Sequence, residues 1–216
     1  MDKNVVIDRI EAIGVIPVIR AASADEAARI IDAIAEGGID VFEITMTVPD
    51  AETLIGGIAK KFGETAVVGA GTVMDPKTAE SCIDAGARFV ISPSLNLDTI
   101  GACREREVAV MPGALTPTEI VTAWNAGADF VKVFPAEALG GANYLKNLRG
   151  PLPHVKIIPT GGVSLANAAD FIRAGARAVG VGTELVNLEA IRSGNTRLIA
   201  ERARQYLEIV KEARAA

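Results

Sequence analysis

A pattern that ends a helix and begins a buried strand recurs four times along the chain, and it limits the folds that the chain can adopt. The copies begin at Glu36, Asp84, Asn125 and Arg173, and each runs through glycine into a short apolar segment. The marker glycines lie at positions 38, 86, 127 and 175, so successive copies are 48, 41 and 48 residues apart. Glycine commonly ends a helix, and a step of this size holds two strand–helix units. Four copies therefore predict eight such units.

Other short apolar runs lie between these copies and alternate with helical stretches. The runs are Val15–Arg20, Ala66–Gly71, Val108–Pro112 and Val155–Thr160, and the helical stretches include Ala24–Glu36 and Lys77–Ala85. Strands that are apolar on both faces and alternate with helices form parallel sheets, and eight of them close into a barrel. The sequence therefore predicts an α/β protein with a (β/α)8 TIM-barrel fold. An open doubly wound sheet is the alternative, but the repeats are very even and no Gly-x-Gly-x-x-Gly follows the first strand.

The two ends of the chain predict additional helices around this repeat. Residues before Gly14 are expected to form an extra N-terminal helix that closes the bottom of the barrel, and Leu188–Ala216 to supply the last helices. No linker, low-complexity tract or charge block interrupts the chain. With 216 residues, half of them hydrophobic, it can bury one sizeable core. Residues 1–216 are therefore predicted to form a single domain.

Charge and composition argue against several classes of partner. The formal net charge is -5 and the sequence pI is about 5.1, so no basic field attracts a nucleic acid. Cys82 and Cys103 have no metal-type spacing and are expected to be buried, reduced thiols. The first residues are too charged for a secretory segment, and no apolar run reaches membrane-spanning length. We expect a cytoplasmic protein with neither nucleic-acid nor membrane partners.

Lys132 is the least expected residue in an apolar strand. Barrel enzymes place their functional side chains at the carboxyl ends of the strands, and Lys132 interrupts the run from Phe130 to Phe134 there. An ammonium group in that setting loses its water, which favours the neutral, nucleophilic amine. Such an amine is suited to forming an imine with a carbonyl substrate. The alternative is a structural ion pair with Glu43 inside the barrel.

Glu43 lies in another apolar strand and is expected at the same rim. If an apolar setting raises its pKa, its carboxyl group can transfer protons during imine formation and carbon–carbon cleavage. A purely structural role, in which Glu43 only neutralises Lys132, is the competing interpretation. Both interpretations predict that Glu43 and Lys132 lie close together.

Two late loops have the composition of an anion site. Pro159–Ser164 and Gly180–Glu184 both carry glycines that let backbone N–H groups face a phosphate, at the position where barrels commonly bind one. Thr160 and Thr183 would add hydroxyl donors. Simple turns are the alternative. No group of His, Asp or Glu has metal-ligand spacing, so we expect neither a metal nor another cofactor.

Eight ordered motifs lie between Ile13 and Val186: Glu43–Met46, Gly69–Val73, Ser92–Ser94, Met111–Gly113, Thr116–Glu119, Val131–Glu137, Pro159–Val163 and Val181–Gly182. Together they resemble the class I KDPG/KHG aldolase family, whose substrates are 2-keto-3-deoxy-6-phosphogluconate (KDPG) and 4-hydroxy-2-oxoglutarate (KHG). The resemblance implies a Schiff-base lysine at Lys132, a proton-transferring glutamate at Glu43, no metal and a homotrimer. It also implies substrate-binding roles for Thr72, Pro93, Phe134, Thr160, Gly161, Gly162, Gly182 and Thr183.

One position departs from the family pattern. Many members carry arginine four residues after the glutamate, where it binds the substrate carboxylate, whereas this chain has Thr47. Arg20 could supply the cation instead, and we expect both Arg20 and Thr47 among the substrate-binding residues.

The predicted function is metal-independent cleavage of KDPG to pyruvate and glyceraldehyde 3-phosphate, with cleavage of KHG to pyruvate and glyoxylate as a further activity. The phosphorylated keto acid and pyruvate are the expected partners. Three alternatives stay open: the galactonate epimer as substrate, a phosphate-binding barrel isomerase or synthase, and a non-catalytic oligomeric scaffold.

Overall fold

The structure is a computed structural model that describes residues 1–215; Ala216, which the sequence places in the last predicted helix, lies outside the described residues. The helices are α1 (Lys3–Ile13), α2 (Ala24–Glu36), α3 (Ala51–Phe62), α4 (Pro76–Ala85), α5 (Leu97–Glu105), α6 (Pro117–Asn125), α7 (Gly141–Arg149), α8 (Ala168–Arg173), α9 (Leu188–Arg192) and α10 (Thr196–Ala215). The strands are β1 (Val15–Ile19), β2 (Val41–Thr45), β3 (Val67–Gly71), β4 (Phe89–Ile91), β5 (Ala109–Met111), β6 (Gly113–Ala114), β7 (Val131–Val133), β8 (Ile157–Pro159) and β9 (Val179–Val181). Among residues 1–215, no helix has both the length and the apolar character needed to cross a bilayer.

The paired strands all run parallel. One sheet has the order β5-β4-β3-β2-β1-β9, and a second has the order β6-β7-β8. Only Pro112 separates β5 from β6, and an isolated bridge pairs Thr160, after β8, with Gly180 in β9. The protein thus has an α/β fold in which helices alternate with the strands of a curled parallel sheet, as the repeated pattern predicted.

Local sequence signals account for the element boundaries. The Ser23 hydroxyl accepts a hydrogen bond from the Glu26 N–H and begins α2, and the Thr116 and Glu119 side chains form a reciprocal capping box at the start of α6. The bounds of α2 match the predicted helix. The predicted apolar runs are slightly longer than the strands, so Arg20 and Thr160 lie one residue past β1 and β8.

Two buried apolar clusters sit on opposite sides of the strands. The larger one packs the strands against the surrounding helices. The smaller one gathers residues from the other face, including Val41 of β2 and Phe130 just before β7, with Val6 and Ile10 of α1. Because side chains alternate along a strand, residues two positions further on point to the same side as Val41 and Phe130. This alternation directs Glu43 and Lys132 to the inner side of the curled sheet.

Candidate active site

A cavity of about 360 Å³ opens at the carboxyl ends of the strands. Its wall is formed by Val18, Arg20, Pro93, Lys132, Phe134, Thr160, Gly161, Gly162, Val163, Ser164, Gly180, Gly182, Thr183, Glu184, Val186 and Leu188. Most of the polar residues selected from the sequence therefore share one site. Glu43, Thr47 and Thr72 do not line the cavity but reach it through contacts with Lys132 and Arg20.

Lys132 stands in the middle of β7, where its backbone is paired with Gly113 of β6 and Ile158 of β8. Only 5% of the residue is exposed, yet it reaches the cavity wall. Its Nζ lies 3.7 Å from Glu43 Oε1 and 5.5 Å from the centre of the Phe134 ring. An amine so placed is shielded from bulk water and still open to a ligand in the cavity.

Glu43 is 1% exposed, and its Oε1 atom has no hydrogen-bond donor among the described residues. Burial raises the pKa of the carboxyl group above its usual 4.5, because the charged form loses its hydration, while the nearby cations Lys132 and Arg20 offset part of that rise. The direction agrees with the expectation from its apolar strand. A carboxyl group that takes up protons more readily than an ordinary glutamate is suited to proton transfer near neutral pH.

The backbone of β3 leaves room for this carboxylate. Gly71 of β3 pairs with Thr45 of β2, and a Cβ atom at position 71 would overlap the Glu43 side chain. Glycine is required here because of this close approach rather than because of its backbone angles.

Arg20 connects β1 to the ends of β2 and β3. Its Nη1 donates a hydrogen bond to Thr47 Oγ1 at 3.3 Å, and its Nη2 donates to Thr72 Oγ1 at 3.4 Å. Thr72 has a left-handed backbone conformation with φ of 60°, which is uncommon for a β-branched residue and recurs at functional sites. These contacts place the guanidinium group on the cavity wall, together with Lys132.

The two late glycine loops both line the cavity, and the bridge between Thr160 and Gly180 joins the strand ends from which they start. Gly161 and Gly162 have positive φ angles of 92° and 78°, a conformation that turns successive backbone groups. Asn167 holds this loop in place: its Nδ2 donates to the Gly162 carbonyl at 2.9 Å, and its Oδ1 accepts from the Ser164 N–H at 2.8 Å. Such an arrangement can present N–H donors to an anion.

Comparison with known proteins identifies the family. The sequence pattern of the KDPG and KHG aldolase family matches residues 6–201. The chain belongs to this family. It is 36% identical over 197 residues to the KHG/KDPG aldolase of Escherichia coli strain K12, a match that covers 91% of this chain and 92% of the relative.

Solved structures of similar proteins agree with this assignment. A structure of native KDPGal is 30% identical, has a TM-score of 0.86 and covers 94% of this chain and 96% of its own. The KDPG aldolase of Legionella pneumophila, with pyruvate captured as a covalent carbinolamine intermediate, is 33% identical with a TM-score of 0.85 and covers 92% and 96%. Both solved structures therefore share the fold of this chain and about a third of its residues.

Several residues at the cavity were not selected from the sequence. Ser164 and Glu184 end the two glycine motifs and line the cavity, so their position in those motifs was the available signal. Val18 lines the wall two residues before Arg20, as strand alternation allows. Asn167 gave no signal, because an asparagine that supports a loop through hydrogen bonds resembles any other helix-start residue.

Proposed function

We propose that this protein is a class I aldolase that cleaves KDPG to pyruvate and glyceraldehyde 3-phosphate through an imine on Lys132. The observation that carries the proposal is the buried pair of Lys132 and Glu43, whose side chains approach to 3.7 Å beside a cavity with two glycine loops. The isomerase, synthase and scaffold alternatives need no amine beside a shielded carboxyl group, and membership of an aldolase family disfavours them.

The reaction begins when the neutral Lys132 amine attacks the C2 ketone of the substrate. A carbinolamine forms, and Glu43 transfers a proton to its hydroxyl group so that water leaves and a protonated imine remains. The imine nitrogen carries the positive charge that the next step requires.

Cleavage then uses the same two residues. The Glu43 carboxylate removes the proton of the C4 hydroxyl group, the C3–C4 bond breaks, and its electron pair flows into the protonated imine. Glyceraldehyde 3-phosphate leaves with a new C4 carbonyl, and an enamine of pyruvate stays on Lys132. Protonation of the enamine at C3 and attack by water release pyruvate and restore the free amine.

The remaining predicted residues divide the substrate between two subsites. Arg20 and Thr72 bind the keto-acid carboxylate, Thr47 lies beside them in contact with Arg20, and Pro93 and Phe134 enclose the pyruvate moiety. The phosphate lies against the two glycine loops, whose proposed donors are Thr160, Gly161, Gly162, Gly182 and Thr183. Cleavage of KHG to pyruvate and glyoxylate uses the first subsite and the same imine, and cleavage of the galactonate epimer is the second candidate because of the similarity to native KDPGal.

We also infer that the curled sheet closes into a full (β/α)8 barrel. The Arg177 N–H donates to the Ile157 carbonyl at 3.0 Å, and the bridge between Thr160 and Gly180 supports the same contact between β8 and β9. On the other side, β5 and β6 count as one strand because only Pro112 divides them. Eight strands then encircle the inner apolar cluster, and α1 covers its lower end through Val6 and Ile10.

The proposal extends to the setting of the protein. Residues 1–216 form one domain, which works in the cytoplasm as a homotrimer and has neither nucleic-acid nor membrane partners. The homotrimer rests on the resemblance to the family, and the absence of nucleic-acid partners on the net charge of -5.

Borohydride reduction in the presence of pyruvate tests the imine directly. We expect a covalent adduct on Lys132, detected by intact mass and peptide mapping, that requires both pyruvate and borohydride. Lys132→Arg keeps a cation in the strand but forms no adduct, and its cleavage rate falls to background. An adduct on another lysine, or near wild-type turnover by folded Lys132→Arg, would contradict the proposal.

A further inference from the structure

Three hydroxyl-bearing residues and Arg20 form a chain of hydrogen bonds at the ends of β1, β2 and β3. Thr45 is completely buried, and its Oγ1 donates to the Ile19 carbonyl at 2.9 Å. Thr45 Oγ1 lies 2.7 Å from Thr47 Oγ1, and Thr47 Oγ1 accepts from Arg20 at 3.3 Å. Arg20 also donates to Thr72 at 3.4 Å.

The direction of each bond follows from the number of protons available. A threonine hydroxyl has one proton, and that of Thr45 is directed at the Ile19 carbonyl, which can only accept. The short contact between Thr45 and Thr47 therefore requires Thr47 as the donor. In its hydrogen bond with Arg20, the Thr47 hydroxyl can only accept, because a guanidinium group donates and has no acceptor atoms.

Thr47 therefore has no proton left to donate to a substrate carboxylate. The Thr72 hydroxyl, by contrast, accepts from Arg20 and has no acceptor for its own proton among the described residues. Arg20 has five N–H groups in a fixed planar fork, of which these two bonds occupy two. Within this network, the groups that can still donate to an anion are therefore Arg20, which lines the cavity, and Thr72 beside it.

We infer that Thr45 and Thr47 are positioning residues that hold the Arg20 guanidinium group in place, and that Thr47 itself does not bind the substrate carboxylate. Thr45 ties the hydrogen-bonded network to the backbone of β1. Through Thr45, Thr47 holds the Arg20 side chain, which is long and exposed at the rim. A preorganised fork binds a carboxylate more tightly because less rotamer freedom is lost on binding. This inference rests on the proposed role of Arg20 as the carboxylate anchor, and it proposes an indirect role for Thr47 in place of the direct one expected from the sequence.

A double-mutant cycle on pyruvate labelling separates the two roles of Thr47. The pyruvate concentration that gives half-maximal borohydride labelling of Lys132 is measured for wild type, Thr47→Val, Thr47→Ser, Arg20→Ala and the Arg20→Ala/Thr47→Val pair. Thr47→Val keeps the shape of the side chain and removes the hydroxyl group, whereas Thr47→Ser keeps the hydroxyl group. Circular dichroism and thermal unfolding establish that each variant is folded, and Thr47→Ala replaces Thr47→Val if the valine variant does not fold.

We expect the half-maximal concentration to rise about 10–100-fold in Arg20→Ala and about 3–10-fold in Thr47→Val, as for loss of a charged and of a supporting hydrogen bond, with labelling at saturation unchanged in Thr47→Val. Thr47→Ser should stay within about 2-fold of wild type, and the pair within about 2-fold of Arg20→Ala, because contacts in one network are not additive. Additive effects in the pair would overturn the inference and make Thr47 a direct ligand. If Arg20→Ala has the same half-maximal concentration as wild type, Arg20 is not the carboxylate anchor and the inference fails. If wild type is not labelled at all, the proposed function fails as well.

Discussion

Glu43 keeps its carboxyl group away from water and 3.7 Å from the Lys132 amine. Burial of an unpaired carboxylate is unfavourable, and so is burial of an unpaired ammonium group. Each of the two groups therefore offsets part of the desolvation penalty of the other. Burial is the largest cause of the raised pKa of Glu43, and the nearby Lys132 offsets part of it. At 3.7 Å the two groups lie within the range of an ion pair and beyond that of a normal hydrogen bond, so the distance alone fits both a structural and a catalytic pair.

The pH dependence of cleavage should follow from this raised pKa. In the proposed mechanism the step that breaks the C3–C4 bond needs ionised Glu43, so kcat/KM should fall as the pH drops through its raised pKa, with a midpoint above the ordinary 4.5. Glu43→Gln should lose this acid limb and reduce kcat by about 10²–10⁴-fold, as for loss of a general acid–base group. A matched substitution of an exposed carboxylate, Glu189→Gln, should leave the limb in place. A midpoint at or below 4.5 in wild type would remove the case for Glu43 as the base.

The space that Gly71 leaves for Glu43 predicts a second substitution effect. Gly71→Ala would push the buried carboxylate out of position, and we expect a loss of about 1–3 kcal/mol in the free energy of unfolding together with a fall in kcat, because overpacking forces shifts in a tight interior. Gly57→Ala is the control: a Cβ atom there meets nothing within 4 Å, and alanine favours the helical backbone of α3. Urea unfolding and cleavage assays check both. Equal stability of the two variants would contradict the packing argument.

At the level of elements, α9 follows the glycine loop after β9 and is tied back to α2. The Glu26 side chain is almost fully buried, accepts a hydrogen bond from the Ala22 N–H at 2.7 Å and pairs with Arg192 Nε at 3.0 Å. These contacts lower the pKa of Glu26, with the backbone N–H of Ala22 as the largest cause. The segment that carries Thr183 is thereby linked to the loop that follows β1.

This link predicts a stability effect with a defined pH dependence. Because the folded pKa of Glu26 is below its unfolded value of 4.5, its contribution is present above 4.5 and is lost as the pH falls through the folded value. Glu26→Gln should lower the free energy of unfolding at pH 7 by about 1–3 kcal/mol, the scale of a charged hydrogen bond. The deficit should shrink in acid. Arg192→Gln should cost about 0–1 kcal/mol, because the Arg192 side chain is 61% exposed and screened by solvent. A deficit that grows in acid would contradict this assignment.

Regular elements and isolated anomalies could be predicted from the sequence, whereas contacts between distant residues could not. The helical stretch Ala24–Glu36, which was recognised from the sequence, has the same bounds as α2. Lys132 and Glu43 were identified because charge in an apolar strand is costly. The contacts of Arg20 with Thr47 and Thr72 depend on where three separate strands end. The two hydrogen bonds of Asn167 to its loop depend on how that loop folds. Neither follows from composition or spacing, since any exposed polar side chain fits the same pattern.

On the scale of the whole molecule, the strands are unevenly connected. β2 and β3 are paired over five successive positions, whereas β8 and β9 have no regular pairing within the described residues and are joined by the bridge between Thr160 and Gly180 and the hydrogen bond from the Arg177 N–H to the Ile157 carbonyl. The two glycine loops extend from either side of this weak contact. A phosphate held by both loops would therefore join β8 to β9 as well as bind the substrate.

This arrangement predicts how ligands redistribute stability. Glyceraldehyde 3-phosphate at about 100 times its Kd should add about 2.7 kcal/mol to the free energy of unfolding, as for any ligand of the native state. Because the proposed phosphate contacts span Gly161 and Thr183, hydrogen-exchange protection should increase most in β8, β9 and their loops and least in β3. Pyruvate alone, which lacks the phosphate, should protect the surroundings of Lys132 and Arg20 without this increase at β8 and β9. If both ligands protect β8 and β9 equally, the glycine loops do not hold the phosphate, since only a group that contacts both loops can couple the two strands.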